Sequence, residues 1–280
     1  MTGSLTVVAT PIGNLGDLSP RAAAALRDAD LVACEDTRRT AVLLRAAGSS
    51  APMLPAHEHT EAARAADLVR RMREGARVTL VADAGMPGVS DPGSRVVRAA
   101  VAAGIPVTVI PGPSAVETAL VASGIPAEGG FLFLGFLPRR PAERERALAR
   151  FRDLTVPAVL FESPRRLPAL LADLAAIDPD RPVAVCRELT KLHEEVLRGS
   201  AAELAERVRE PPRGEVTVVV GAAAPGPVPA ERELEAALGR LLEMGLSPAQ
   251  AAQAAAILGV APRNAAYRMA LAAAARRRSR

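Results

Sequence analysis

The chain reads as an α/β protein with a small helical appendage, and three observations carry that reading. Short apolar, β-branched runs alternate with segments whose apolar residues recur every three or four positions through the first two-thirds of the 280 residues. Loops rich in Gly, Pro and Asp follow the carboxyl ends of several of these runs. A Gly/Ala/Pro stretch then leads into a tail with helical periodicity alone. The expected organisation is an N-terminal α/β domain over 1–113, a central α/β domain over 114–221, a linker over 222–230 and a C-terminal helical segment over 231–280.

Strands are expected at Leu5–Thr10, Leu31–Cys34, Arg77–Ala82, Pro106–Ile110, Phe131–Phe136, Ala158–Phe161, Val183–Cys186 and Glu215–Val220. Helix-period segments such as Arg21–Ala29 and Ala62–Met72 lie between them. Ser19-Pro20 supplies a cap followed by proline at the first helical position. Gly75 and Gly104 fall where helices should end. The Pro111-Gly112-Pro113 break marks the expected domain boundary, with Ser114 capping the helix that follows. Beyond the linker, helices are expected over Glu231–Glu243, Ser247–Leu258 and Pro262–Ala275. The last two flank Gly259 and resemble a helix-turn-helix; a packing or RNA-facing appendage is the preferred reading over DNA recognition.

Composition excludes several classes. An apolar fraction of 49% supports real cores and argues against disorder. No apolar run approaches the ~20 residues needed to cross a bilayer, and the N-terminus lacks a basic signal-peptide region. The two cysteines, Cys34 and Cys186, sit in apolar runs without a CxxC and read as buried thiols, so a reducing cytoplasmic location is expected. Net charge is +4, with arginines paired at Arg38-Arg39, Arg139-Arg140 and Arg165-Arg166 and clustered in the tail. These pairs suit a phosphate track or simply a solvated surface. With five Phe, one Tyr and no Trp, few base-stacking platforms are expected.

The common nucleotide motifs are missing. No G-x-G-x-x-G follows a strand, no P-loop occurs, and no G-x-S-x-G elbow appears. His57-Glu58-His59 places two imidazoles two residues apart without a third ligand, so no metal is expected. Four loops remain at the carboxyl ends of strand candidates: TPIGNLGDLS (Thr10–Ser19), CEDTRRT (Cys34–Thr40), DAGMPGVSDPG (Asp83–Gly93) and PGPSA (Pro111–Ala115). Each alone reads as a turn before it reads as a site. Ligands in open α/β sheets gather at that edge, so four loops together point to a shared pocket.

The ordered stretches VVATPIGNLGDLSPRA, ACEDTRRT, HEHTE, VADAGMPGVSDPG, VIPGPSA, LFESPRRL, RELTKLHEE and PRGEVTVVV, from about residue 5 to 221, resemble the bacterial ribosomal RNA small subunit methyltransferase I family. The resemblance implies a tetrapyrrole-methylase-like fold, two α/β domains with S-adenosyl-L-methionine in the cleft between them. It also implies methyl transfer to the ribose 2′-hydroxyl of a cytidine in the decoding region of 16S rRNA, within the small ribosomal subunit, by a homodimer. No membrane or DNA partner is expected. A tetrapyrrole-precursor methylase of the same fold is the alternative, which the arginine pairs disfavour; a nucleic-acid-binding regulator would leave the four loops unexplained.

On that resemblance Pro11 and Gly13 form the cleft floor. Asp83, Ala84, Gly85, Met86 and Val89 flank the methionine and ribose parts of the cofactor, joined by Ser114 and Ala115. Phe161, Glu162, Gly199, Glu215 and Val216 close over the adenine. Related enzymes often carry Gly-Gly-Asp-Pro where this chain has Ala84-Gly85-Met86-Pro87, which leaves Asp83 as the candidate carboxylate contact. For the chemistry, Lys191 is the single lysine among 35 Lys+Arg and, unlike arginine, loses its proton when desolvated. It is the first candidate for the base or for stabilising the forming alkoxide, against an ion pair with Glu194 or Glu195. Asp36 and Arg38 follow as acid partner and phosphate anchor, with Asp36 or Thr37 equally suited as an N-cap, and His59 comes third. Asn14, Arg38, Arg39, Arg139, Arg140, Arg165 and Arg166 are the expected RNA contacts.

Overall fold

The computed structural model describes residues 3–56, 61–223 and 231–278 and divides into two compact units, Met1–Ala223 and Ala224–Arg280. The first unit opens with β1 (Ser4–Val8), α1 (Pro20–Arg27), β2 (Leu31–Cys34), α2 (Thr37–Ala47), β3 (Met53–Pro55), α3 (Glu61–Arg73), β4 (Arg77–Val81), α4 (Ser94–Ala102) and β5 (Val107–Ile110). These strands form one sheet in the order β3-β2-β4-β1-β5, parallel throughout. All four residues of β2 are buried, as expected of a parallel strand covered on both faces. The helix punctuation follows the sequence: the Ser19 hydroxyl accepts the Ala22 N–H, and Gly75 and Gly104 have positive φ just beyond α3 and α4.

After α5 (Ala115–Ser123) the chain builds a second sheet from β6 (Leu132–Phe136), α6 (Pro141–Ala149), β7 (Ala158–Glu162), α7 (Leu167–Ile177), β8 (Pro182–Arg187), β9 (Glu195–Ser200), α8 (Ala201–Arg207) and β10 (Val216–Val220). Its order is β6-β7-β10-β8-β9; only β6 and β7 run parallel, and the other pairs are antiparallel. Strands β3 and β9 were not anticipated, the first because three residues are too short to show a period. Strand β10 begins at Val216, leaving Glu215 outside the ladder.

Side-chain alternation sorts this second sheet into two faces. Ala158 and Leu160, Val183 and Val185, and Val216, Val218 and Val220 pack with Leu167, Leu170, Leu171 and Leu174 of α7. Val159, Ala184, Cys186 and Val219 face the other way, toward Val116 and Ala119 of α5 and Ile12 from the first half. That second cluster joins the halves of the unit. Both cysteines are buried free thiols.

The second unit packs α9 (Glu231–Glu243), α10 (Pro248–Ile257) and α11 (Arg263–Arg278) around Leu234, Leu238, Ala251, Ala252, Ala255, Ala266 and Ala270. Ser247 and Gln250 make a reciprocal capping box at the start of α10, and Gly259, at φ +67°, turns the chain between the last two helices. Among the described residues no helix is long and apolar enough to cross a membrane.

Candidate active site

The four loops meet at the carboxyl edge of the first sheet, where hydrogen bonds and close packing hold them together. Thr10 and Gly85 exchange backbone N–H···O bonds of 2.9 and 3.1 Å, and the Thr10 hydroxyl donates to the Ala82 carbonyl. The Asp83 carboxylate accepts the Asp36 N–H at 3.0 Å and lies 3.6 Å from Arg39 Nε. Gly112 backs onto Ala9 so closely that a Cβ would fall 3.0 Å from the Ala9 methyl. The third loop is folded upon itself by a Gly88 N–H bond to the Pro92 carbonyl and by left-handed backbone at Gly85, Gly88, Ser90 and Gly93. Glu61, buried in the first turn of α3, clamps its end by accepting the Gly93 and Arg95 N–H groups.

Between this edge and the second sheet lies a cleft of about 1000 Å³, at the upper end of the range for ligand pockets. One wall is Ile12, Ala84, Gly85, Met86, Val89, Ser90 and Asp91 with the Pro111–Thr118 segment. The other is Phe131, Phe133, Phe136, Phe161, Cys186, Leu189 and the Gly214–Thr217 segment. Four of the chain's five phenylalanines therefore line one cavity, and Phe161 is the hub: Phe133 meets it edge-on at 5.1 Å and Phe136 at 5.7 Å. The expectation of scarce stacking surface holds for the whole chain and fails here, because the few aromatics are concentrated. The segment FLFLGF was their visible signal.

Of the expected cofactor contacts, Ala84, Gly85, Met86, Val89, Ser114, Ala115, Phe161, Glu162, Glu215 and Val216 line the cleft. Four do not. Asp83 turns its carboxylate to Asp36 and Arg39 and borders, with Pro11, a separate cavity of about 70 Å³. Gly13 packs on the stem of Lys191, and Gly199 lies within β9 opposite Val183, against Glu203. Alternation corrects Glu162 as well. Its side chain points with Ala158 and Leu160 toward α6 and α7, is fully buried, and lies 3.4 Å from Arg166 and 3.9 Å from Arg144. Only its strand-end backbone is left to face the cleft. Arg166 in turn donates to the Leu137 and Pro138 carbonyls, so this cluster pins the β6–α6 turn to β7. Ser114 holds the N-cap position of α5, but its hydroxyl is engaged with the Glu117 carboxylate and makes no backbone cap bond.

The candidate base also needs correction. Lys191 Nζ bonds Glu188 and Glu215, each at 2.9 Å, and neither Glu194 nor Glu195. Partial burial pushes the ammonium pKa down, but the hydrogen bonds it donates to the two carboxylates outweigh it and the net shift is upward. Lys191 is therefore a fixed positive charge and no proton acceptor at neutral pH. Its loop is unusual: Glu188 and Thr190 both adopt positive φ, +52° and +66°, a strained backbone of the kind found at functional positions. Asp36 is the N-cap of α2, accepting the Arg38 N–H, and Arg38 folds back onto it, which holds its carboxyl well below the usual range. Asn14 caps a short 3₁₀ turn by accepting the Gly16 N–H. Arg39, Arg139, Arg140 and Arg165 are exposed, whereas Arg166 is committed to Glu162 and the backbone. His59 lies outside the described residues, as does His57. Among the described residues no cluster of three His, Cys, Asp or Glu side chains is arranged to hold a metal ion.

A family model for tetrapyrrole (corrin/porphyrin) methylases matches residues 4–205, which takes in the whole first sheet and all of the second except β10. Ribosomal RNA small subunit methyltransferase I of Mycobacterium tuberculosis is 49% identical over 227 residues, covering 80% of this chain and 79% of its own length. The chain belongs to the ribosomal RNA small subunit methyltransferase I family. The Xylella fastidiosa member is 42% identical over 272 residues and covers 95% of this chain and 98% of its own, so that likeness reaches the C-terminal helices. Among solved structures, uroporphyrin-III C-methyltransferase from Thermus thermophilus superposes with a TM-score of 0.56 at 25% identity, over 79% of this chain and 93% of that one. The methyltransferase CobJ reaches 0.61 at 23% identity, over 79% and 95%, a likeness of fold alone.

Proposed function

We propose that the chain is an S-adenosyl-L-methionine-dependent methyltransferase that acts on 16S rRNA of the small ribosomal subunit, at the ribose 2′-hydroxyl of a cytidine in the decoding region. The observation that carries the proposal is the cleft itself. It is built where open α/β sheets bind ligands, it is large enough for a cofactor and part of a substrate, and it combines close-approach loops with aromatic rings. S-adenosyl-L-methionine carries no phosphate, which agrees with loops lacking a phosphate motif; Ala84, Gly85, Met86 and Val89 with Ser114 and Ala115 would hold it, facing Phe161 and the backbone of the Gly214–Thr217 segment. The family names of the relatives support a ribosomal RNA substrate.

Transfer to a hydroxyl aligns oxygen, methyl carbon and sulfur in line and requires the hydroxyl proton to leave. The fixed ammonium of Lys191 stands beside cleft-lining Glu215, suited to stabilise developing negative charge on the acceptor oxygen. Exposed Arg39, Arg139, Arg140 and Arg165 would take RNA phosphates, with salt-sensitive binding as the consequence. Val109, Val121 and Leu132 stay exposed on β5, α5 and β6, apolar surface that a second copy would cover in a homodimer.

The test is incubation with small ribosomal subunits lacking the modification and methyl-labelled S-adenosyl-L-methionine, followed by mapping of the label. A single labelled cytidine ribose is expected. Label on a tetrapyrrole precursor instead, or on naked RNA only, would overturn the proposal.

A further inference from the structure

Once Lys191 is a fixed cation, the transfer lacks a proton acceptor, and the cleft offers few. Among the described residues its titratable side chains are Asp91, Glu117, Glu162, Cys186 and Glu215. Glu162 points away to its arginines. Cys186 is buried, which pushes its thiol up to about 11, and its sulfur is engaged with the Ala119 carbonyl. Glu215 is held by Lys191, and Glu117 is exposed and takes up Ser114. Asp91 alone of the five makes no hydrogen bond or ion pair among the described residues.

Its placement is built rather than incidental. Asp91 follows Ser90, whose φ of +65° puts a non-glycine residue in the left-handed region, and precedes Pro92, whose carbonyl closes the loop on Gly88. Glu61 fixes the loop's far end through Gly93 and Arg95. The charged groups acting on Asp91 come from both halves of the cleft: Glu35 after β2 and Asp83 after β4 from the first sheet, and Glu215 before β10 from the second. Asp83 is neutralised in part by Arg39, and Glu215 by Lys191.

We infer that Asp91 is the catalytic residue that accepts the acceptor hydroxyl's proton, acting across the cleft from the Lys191–Glu215 pair. The inference rests on the methyltransferase reading above. In the step, the O–H bond breaks with its proton passing to the Asp91 carboxylate as the O–CH₃ bond forms. The C–S bond of the sulfonium breaks and its electron pair stays on sulfur, leaving the neutral thioether. Asp91 then releases its proton to solvent. Burial, followed by the neighbouring Glu35, Asp83 and Glu215, raises the Asp91 carboxyl to about 6, which makes it a stronger base than an ordinary carboxylate and still ionised at neutral pH.

The experiment is single-turnover methylation of unmodified small subunits by the full chain between pH 4.5 and 8.5, with cofactor affinity measured in parallel by calorimetry. The wild-type rate should rise tenfold per pH unit on the acid side and level off above about pH 6. Asp91→Asn should lower the rate roughly 100- to 10,000-fold, abolish that acid limb and leave cofactor affinity within a few-fold; Asp91→Glu should recover part of the rate. A second readout follows from linkage. A carboxyl whose folded pKa is raised destabilises the fold once ionised, so Asp91→Asn should melt higher than wild type above pH 6, with the difference vanishing below pH 4. A flat wild-type profile, an Asp91→Asn rate within tenfold of wild type, or loss of cofactor binding in that variant would each overturn the inference while leaving the methyltransferase reading intact. Failure of the wild type to methylate the subunit would remove that reading and the inference with it.

Discussion

Gly13 joins the two halves of the site, and Gly13→Ala should show it. An added Cβ would lie 2.4 Å from Lys191 Cγ, 2.9 Å from Thr190 Oγ1 and 3.0 Å from the Leu189 carbonyl oxygen. The first contact is intolerable, so the lysine stem must swing, and with it go the 2.9 Å bonds to Glu188 and Glu215. Overpacking of this kind costs about 1–3 kcal/mol, offset by about 0.4–1 kcal/mol from the stiffer unfolded chain. A net loss of about 1–2 kcal/mol follows, which in a unit of this size lowers the melting temperature by about 2–8 °C. The decisive assay is a double-mutant cycle on thermal melting with Lys191→Ala, which deletes Cγ and with it the worst clash. Gly13→Ala should cost about 1 kcal/mol less in the Lys191→Ala background. Equal costs in the two backgrounds would refute the contact as the cause, and methyl transfer unaffected by Gly13→Ala would refute the placement of Lys191 at the chemistry.

Lys191→Arg should retain a measurable part of the methylation rate because the charge survives, whereas Lys191→Ala should lose the rate and keep cofactor binding; equal rates for the two variants would show that the charge plays no part. Glu162→Gln removes a buried charge facing Arg144 and Arg166 and should cost roughly 3 kcal/mol in denaturant unfolding, with no cost meaning that the arginines find other partners. Phe136→Ala, half-exposed at the cleft, should leave melting unchanged and weaken binding of the small subunit or of the cofactor roughly 5- to 150-fold, as expected for loss of a base-stacking ring, with separate titrations deciding which.

Much of the fold was legible because its signals are local. The buried run LVAC of β2, the Ser19-Pro20 cap and the positive-φ glycines after α3 and α4 each require only neighbouring residues. The convergence of the four loops was also legible, since all follow strands of one parallel sheet. What the sequence hid is direction. Asp83 looked like the cofactor's carboxylate, and only the tertiary approach of Asp36 and Arg39 turns it away. Glu162 sits next to a cleft phenylalanine, yet strand alternation sends the two side chains to opposite faces. Gly199 belongs to β9, a strand whose polar, half-exposed sequence shows no clear period. The partners of Lys191 come from positions 188 and 215, and no sequence pattern distinguishes those from Glu194 and Glu195.

The same directions explain how one cleft separates two tasks. On the first-sheet wall, backbone bonds, glycines and short side chains give a surface fixed before any ligand arrives, because Thr10–Gly85, Asp36–Asp83 and Gly88–Pro92 are paired within the protein. Such a wall suits a cofactor that must enter in one orientation at little ordering cost. The facing wall carries rings and a carboxylate instead: Phe133, Phe136 and Phe161, with Glu215 bonded to Lys191 just behind it. A partly buried ammonium between a part-buried and an exposed carboxylate contributes little to stability, since solvent screens one pairing and burial offsets the other. Its value lies in fixing a positive charge whose position barely relaxes while negative charge develops on an oxygen nearby. Asp91 belongs to the rigid wall and feels the charge of Glu215, the carboxylate that holds Lys191. An acceptor hydroxyl held near both would find a base for its proton and a positive charge for the developing oxyanion, the two aids that transfer from a sulfonium gains beyond alignment.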